Sequence, residues 1–273
     1  MGESLSNLSD IGETARAIVD IYKSPSEAFW RLLEMRVLAQ ITCGRPILEV
    51  GCGDGRFTAI LFDRVDEGID INPRAIDRCK RLSGGTYEAL RCQDVAEMRD
   101  AGEFYGTVFA NCVMEHIPDL ERVLTKCFGL LRPGGSLVIT VPLAEMNNHL
   151  LFRSPRYTRF RQRQLCHENL LSQSAWDQLL RSVGFSKVLF TAYLSGTGCR
   201  FWDALDAPAC LGFGRYRLAP IVAAFRKLAI PQSLDDRMSN RLARWLSTRA
   251  LQDDPSDSPC ASLIIAAKAR RAA

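Results

Sequence analysis

Histidine is scarce in this chain: His116, His149 and His167 are the three in 273 residues, so candidates for a general base are few. No CxxC pair occurs among ten scattered cysteines, and no apolar leader-like run stands near the N-terminus. We therefore read the thiols as small buried hydrophobes in a reducing cytosol rather than a disulfide framework, and assign no metal. No apolar stretch approaches the ~18 residues that cross a bilayer, which excludes spanning and leaves surface attachment open. A cytoplasmic protein, with membrane association left open, is the expectation. The net charge of +4 is mild, so affinity for anions has to come from local clustering. No internal repeat or low-complexity tract is visible.

What is present is the composition of an ordinary globular chain, 47% hydrophobic and 24% charged, with length for one core and a sizeable elaboration. Residues 4 to 42 read as helix with a break at Ser24-Pro25, where an N-cap, an N1 proline and Glu27 make a capping box. Phe29, Leu32, Leu33 and Val37 then share a face. From residue 46 short aliphatic runs alternate with helical segments: PILEVG with RFTAILFD, EGIDIN with PRAIDRCKRL, TVFANCVM with LERVLTKCFGLL, then SLVITVP after Pro133-Gly134-Gly135. Repeated βα units of this kind predict a parallel sheet with helices on both faces. SAWDQLLRSVGF reads as a helix ended by Gly184, and SKVLFTAYL as a strand; about 60 helical-looking residues precede the next strand, SLIIAAK. That is far longer than a usual connection, so we read an inserted helical subdomain. The expected domains are an N-terminal helical lid (1–45), a core (46–198 and 259–273) and a substrate or lid subdomain (199–258).

The stretch ILEVGCGDGRFT ends a strand in Gly51, Gly53 and Gly55, where the backbone turns sharply and a ligand can lie against it. A dinucleotide site wants G-x-G-x-x-G and a helix N-terminus at the pyrophosphate. Here the spacing is G-x-G-x-G, and Glu49 stands two residues before the first glycine. A carboxylate suits an ammonium or sulfonium cation better than a diphosphate, so the loop leans toward a cationic nucleoside. Asp70, 21 positions after Glu49, is placed at a strand tip to accept from both ribose hydroxyls. Asp94 is placed to end the third strand, where it could accept from an adenine amino group.

With these residues in view, the chain resembles the class I S-adenosylmethionine-dependent methyltransferases over roughly 46–192 and 262–268. ILEVGCGDG looks like their first motif, GIDINPRAI like the second, and NCVMEHIPDLERVLTKCFGLLRPGGSLVITVP like the fourth strand, its helix and the turn that follows. The resemblance implies a Rossmann-like, doubly wound, mostly parallel seven-stranded sheet with an antiparallel last strand. It implies S-adenosyl-L-methionine as cofactor, with Gly51, Gly53 and Gly55 at the methionine side and Glu49 orienting it directly or through water. Asp70 and Ile71 would bind at the ribose, Asp94 and Val95 at the adenine, and Asn111 close to the methionine.

An activated sulfonium asks for positioning and exclusion of water, with a base only where the acceptor loses a proton. His167, after the fifth strand, is our base candidate; His116 reads mainly as a structural turn and His149 as solvent-exposed. LFRSPRYTRFRQRQLCH carries Arg153, Arg156, Arg159, Arg161 and Arg163 with no acid before Glu168. It reads either as a solvated basic loop or as a grip on an anionic acceptor, with Arg153, Arg156, Tyr157 and Arg161 as the substrate candidates. Nucleic acid is a weaker option. In the insertion, RYRLAPIVAAFRKLAI and a stripe of Met238, Leu242, Trp245 and Leu246 opposite Arg241 and Arg244 read as a lid, a homodimer interface or an interfacial membrane helix. The expected function is methyl transfer to a small biosynthetic acceptor, anionic or lipid-linked. A nicotinamide-dependent oxidoreductase and a non-catalytic cofactor-binding scaffold stay open as rivals.

Overall fold

A computed structural model describes residues 3–4, 11–22, 24–99, 102–210, 212–213, 216–217, 232–256 and 258–270. Seven strands form the central sheet: β1 (Ile47–Val50), β2 (Val65–Asp70), β3 (Tyr87–Cys92), β4 (Tyr105–Asn111), β5 (Leu131–Pro142), β6 (Lys187–Leu194) and β7 (Ala261–Ala267). They lie in the order β3-β2-β1-β4-β5-β7-β6. The first five pair in parallel, while β7 runs antiparallel to both β5 and β6. This is the expected doubly wound α/β sheet with one antiparallel strand. All four residues of β1 are buried, as a strand covered on both faces requires. The strand order reverses between β1 and β4, and their C-terminal ends open the crevice where such sheets hold ligands.

Nine helices are described: α1 (Ile11–Tyr22), α2 (Pro25–Leu38), α3 (Thr58–Leu61), α4 (Pro73–Leu82), α5 (Leu120–Leu130), α6 (Pro155–Leu165), α7 (Gln173–Val183), α8 (Gly196–Cys210) and α9 (Gln232–Gln252). One face of the sheet packs on α5 and α7 through Leu124, Cys127, Trp176 and Leu180. The other packs on the N-terminal helices and the insertion, which share one apolar cluster.

The N-terminal reading needs correction at both ends. Among the described residues the helices are Ile11–Tyr22 and Pro25–Leu38, while Glu3–Ser4 and Thr42–Cys43 are extended and pair antiparallel. Gly44 and Pro46, both poor helix formers, follow closely. Pro25 does open α2, but the capping box is not made, since the Ser24 side chain makes no cap bond and lies 2.8 Å from Ser26 Oγ instead. RFTAILFD contributes only the short α3. Nor does α2 bury a single face: Phe29, Leu33, Glu34 and Leu38 are all fully or nearly fully enclosed, which is the burial of an inner helix rather than of a surface one.

The insertion closes over α2 through aromatic and ionic contacts. Phe29 meets Phe201 edge-on at 4.9 Å, and Trp30 meets Tyr193 at 5.9 Å and Trp202 at 5.4 Å. Arg16 of α1 reaches Asp20, Asp236 and Asn240, tying α1 to α9. The face that α9 buries is Ser239, Ala243, Leu246 and Ala250, whereas Met238 and Trp245 stay 45% and 43% exposed. The expected stripe is therefore rotated, because close packing on α1 and α2 selects small side chains. The segment RYRLAPIVAAFRKLAI lies outside the described residues, apart from Tyr216–Arg217, which pairs with Gly212–Phe213.

Asp203 on α8 binds the chain after β5 to the insertion. One oxygen accepts from the Leu151 N–H and the Tyr157 hydroxyl, both at 2.8 Å. The other lies 2.7 Å from Arg161 Nε, both side chains being fully buried. Removing one partner of such a pair strands the other charge. Asp203→Ala should lower the unfolding free energy by about 3–5 kcal/mol, read from urea denaturation; a loss under ~1 kcal/mol would show that Asp206, 2.6 Å from the Arg161 guanidinium, compensates the buried charge alone.

Candidate functional site

The first half of the site is the edge formed by the ends of β1 and β2. Gly51, Gly53 and Gly55 all take positive φ, between 58° and 74°. They differ in what surrounds them. A side chain on Gly51 would strike Val113 and one on Gly55 would strike Cys79 and Tyr87, whereas above Gly53 nothing lies within 4 Å. Gly53 is thus the residue open toward a ligand, and its neighbours are tight packing points. The loop is held by Asp70, whose Oδ2 accepts from the Gly53 N–H at 3.0 Å and whose Oδ1 accepts from the Asn72 N–H at 2.8 Å. Each oxygen keeps a lone pair for a further donor.

Ile71 is 74% exposed beside it, an apolar side chain standing free at the strand tip. Asp94 caps a short turn over Val95–Glu97 by accepting from the Ala96 N–H, and Val95 is buried. Tested against the nucleoside implied by the sequence, this edge fits: open space over Gly53, lone pairs on Asp70, and an uncovered apolar wall at Ile71.

Glu49 stands elsewhere than beside open space. It is 3% exposed, and its two oxygens accept from Thr58 Oγ1 at 2.7 Å and the Tyr87 hydroxyl at 2.6 Å. Burial pushes its carboxyl up to about 7. Both oxygens are engaged from within the protein, so Glu49 shapes the loop from beneath.

The second half is a cavity of about 270 Å³, whose walls include Tyr22, Trp30, Arg31, Cys112, Glu115, His167 and Trp202. It meets the first half at residues 111 to 112: Asn111 ends β4, and Cys112, with φ of 51°, turns the chain into the cavity wall. A buried carboxylate fixes this junction. Glu34 is fully enclosed, and its Oε1 accepts from Trp30 Nε1 at 2.9 Å and Tyr193 OH at 3.2 Å, with Cys112 Sγ at 2.9 Å and Thr140 Oγ1 at 3.1 Å. Its Oε2 pairs with Arg31 at 2.5 Å. The Thr140 hydroxyl has one proton to give and is also in reach of Asn111 Oδ1, so the two halves share a hydrogen-bond network.

Glu115, close to this network, is 2% exposed, and its Oε2 has no hydrogen-bond partner. Burial first, then the Glu34 charge, pushes its carboxyl up to about 8, so it holds a proton at neutral pH. His167 also lines the cavity, its ring tilted against His116 at 5.5 Å between centroids. Burial, with smaller contributions from His116 and Arg161, pushes it down to about 4 and keeps it neutral. His116 Nδ1 lies 2.9 Å from the Cys166 carbonyl. His149 is half-buried against Gly196 rather than exposed.

The arginine run is corrected most. It is a helix, α6, with Ser154 capping its start. Arg161 turns inward to Asp203 and Asp206, at 2.7 and 2.6 Å, and Tyr157 donates to Asp203, so neither stands free to grip a substrate. Arg153 and Arg156 are exposed and outside the cavity. Of the acidic and basic residues that do line it, Glu27 was read from sequence only as a helix-capping residue, and Arg31 and Glu115 were not singled out. Glu34 was missed as well, although its place three residues after Arg31 was a signal.

A family profile described as a methyltransferase domain matches residues 24–189. Among curated proteins, the chain is 28% identical over 212 residues to a trans-aconitate 2-methyltransferase of Methylobacterium nodulans, covering 67% of this chain and 81% of that one. It is 29% identical over 103 residues to a ubiquinone biosynthesis O-methyltransferase of Coxiella burnetii; that match covers 36% of this chain and 44% of that relative, less than half its length. Of solved structures, a possible histamine N-methyltransferase from Thermotoga maritima superposes with a TM-score of 0.57 at 14% identity, over 95% of this chain and all of that one. Phosphoethanolamine N-methyltransferase 2 of Haemonchus contortus gives 0.56 at 14%, over 97% of this chain and 58% of that one. At such identity the structures establish the fold alone. The profile spans more than half the chain, and the chain belongs to the methyltransferase-domain family.

Proposed function

We propose that the chain transfers a methyl group from S-adenosyl-L-methionine to a protic oxygen of a small, uncharged or weakly acidic acceptor. The observation that carries this reading is the adjacency of an open nucleoside edge, at Gly53 and Asp70, to an aromatic-walled cavity that begins one residue after Asn111. Once bound there, the sulfonium donor supplies an activated methyl electrophile; the chain must position the acceptor, exclude water and accommodate one proton.

Tyr22, Trp30 and Trp202 offer rings to a flat apolar acceptor. His167, neutral at physiological pH, can take the proton as an acceptor hydroxyl attacks. Glu115, protonated there, can donate a hydrogen bond to a neighbouring oxygen. Arg31 gives its charge to Glu34, and the exposed arginines lie outside the cavity, so a strongly anionic acceptor has no free cation in it. The relatives named as O-methyltransferases support oxygen as the accepting atom. A lipid-linked acceptor remains compatible, its ring in the cavity and its tail outside.

The direct test is to incubate the protein with S-adenosylmethionine and a panel of phenols and hydroxyacids, following S-adenosylhomocysteine by mass spectrometry. His167→Ala should lower kcat about 10²–10⁴-fold with donor affinity unchanged; full activity would remove the base role. Asp70→Ala should weaken donor binding by roughly 10–100-fold in calorimetry, as loss of a charge-assisted hydrogen-bond partner does. NAD binding without S-adenosylmethionine binding would return the oxidoreductase reading, and a cellular role surviving Gly53→Arg would favour a scaffold.

The pH profile follows from the two groups. A base is available above its folded value, so kcat/KM should rise through about 4 as His167 loses its proton. A donor is available below its folded value, so the rate should fall through about 8 as Glu115 loses its own. Glu115→Gln keeps an N–H donor that does not titrate and should flatten the alkaline limb; an unchanged limb would assign it to another group.

A further inference from the structure

With Arg161 and Tyr157 turned inward, the rest of α6 forms a face that the enzyme chemistry does not use. Arg156, Arg159, Phe160 and Arg163 fall at helical spacings i, i+3, i+4 and i+7, and all four are exposed. Phe152 and Arg153 extend this face just before the helix, and Phe152 is 59% exposed. Phe152, Tyr157 and Phe160 touch in sequence, with centroids 5.1 and 6.3 Å apart, so the two outer rings are braced by a tyrosine anchored to Asp203. Among the described residues none of Arg153, Arg156, Arg159 or Arg163 makes an ion pair. The helix itself is fastened from below by the buried Arg161, so its exposed face is rigidly presented.

We propose that this face of α6 docks on an anionic lipid surface. Arginines without acidic neighbours match a layer of negative headgroups, and each basic side chain near such a surface adds about 1 kcal/mol. Two exposed, braced phenylalanines add what phosphate or nucleic acid alone would not require: rings that enter the apolar boundary below the headgroups. The C-terminal end of the same helix, Leu165, and the following His167 line the cavity, so a docked α6 sets the cavity wall close to the bilayer. None of the four arginines lines the cavity, so docking stands apart from the methyl-transfer reading and is tested without it. The surface differs from the one expected from sequence, which lay in the inserted helices between 199 and 258.

The test is co-sedimentation of the full chain with phosphatidylcholine vesicles, with and without about a third phosphatidylglycerol. Wild type should pellet with the anionic vesicles and stay in solution with the neutral ones. At about fivefold per arginine, R156E/R159E/R163E should lose on the order of 100-fold in partition, and F152S/F160S should lose binding while its arginines remain. Thermal melting and S-adenosylmethionine calorimetry show whether each variant stays folded; if the triple variant melts early, R159E and R163E singly replace it. Failure of wild type to pellet with anionic vesicles, or equal binding by the folded arginine variants, would overturn the proposal. So would displacement by single-stranded RNA together with indifference to F152S/F160S, which would assign the face to nucleic acid.

Discussion

The Glu34 carboxylate, enclosed within α2, draws donors from Trp30 and Arg31 on its own helix, from Cys112 after β4, from Thr140 in β5 and from Tyr193 in β6. A buried charge is tolerated only when it is paired and hydrogen-bonded, so this one constrains everything around it. It sets α2 over the ends of three strands, and it places Trp30 and Arg31 in the cavity wall. Through Thr140 it also reaches Asn111 at the end of β4. Glu115, close by, keeps its proton chiefly because it is buried, with the Glu34 charge adding to the effect.

The glycine loop divides its labour in a way that follows from backbone geometry. Gly51 and Gly55 take positive φ where side chains from the next layer press close, while Gly53 takes it facing open space. Glu49, beneath, is held by Thr58 and Tyr87. A carboxylate with both oxygens engaged stiffens the strand end without presenting charge outward. Asp70 also accepts one hydrogen bond at each oxygen, from Gly53 and Asn72, but it is only partly buried, so its remaining lone pairs reach the surface.

Much of this was legible locally. The βα rhythm, the Asn72-Pro73 start of α4 and the Gly184 stop of α7 are signals contained within a few residues, and they appear where the sequence placed them. What escaped depends on partners far along the chain. Arg161 and Arg159 are alike in sequence, yet one is buried because Asp203 and Asp206 approach it from some 40 residues away. Nothing near Glu34 in sequence, Arg31 apart, marks it as a hub; the return of β5 and β6 brings Thr140 and Tyr193 to it. On α9, hydrophobicity favoured Met238 and Trp245, but helix packing at short range buries Ser239 and Ala243 instead. Sequence patterns weigh side chains by polarity, whereas tertiary packing also weighs them by size and by who arrives opposite.

The measurement that bears most directly on this account is a crystal structure with S-adenosylhomocysteine. The account places the ribose on Asp70 and the sulfur beside Asn111, facing the cavity walled by Trp30, Glu115 and His167. A nucleoside seated away from Gly53 and Asp70, or a sulfur facing the arginine side of α6, would contradict it.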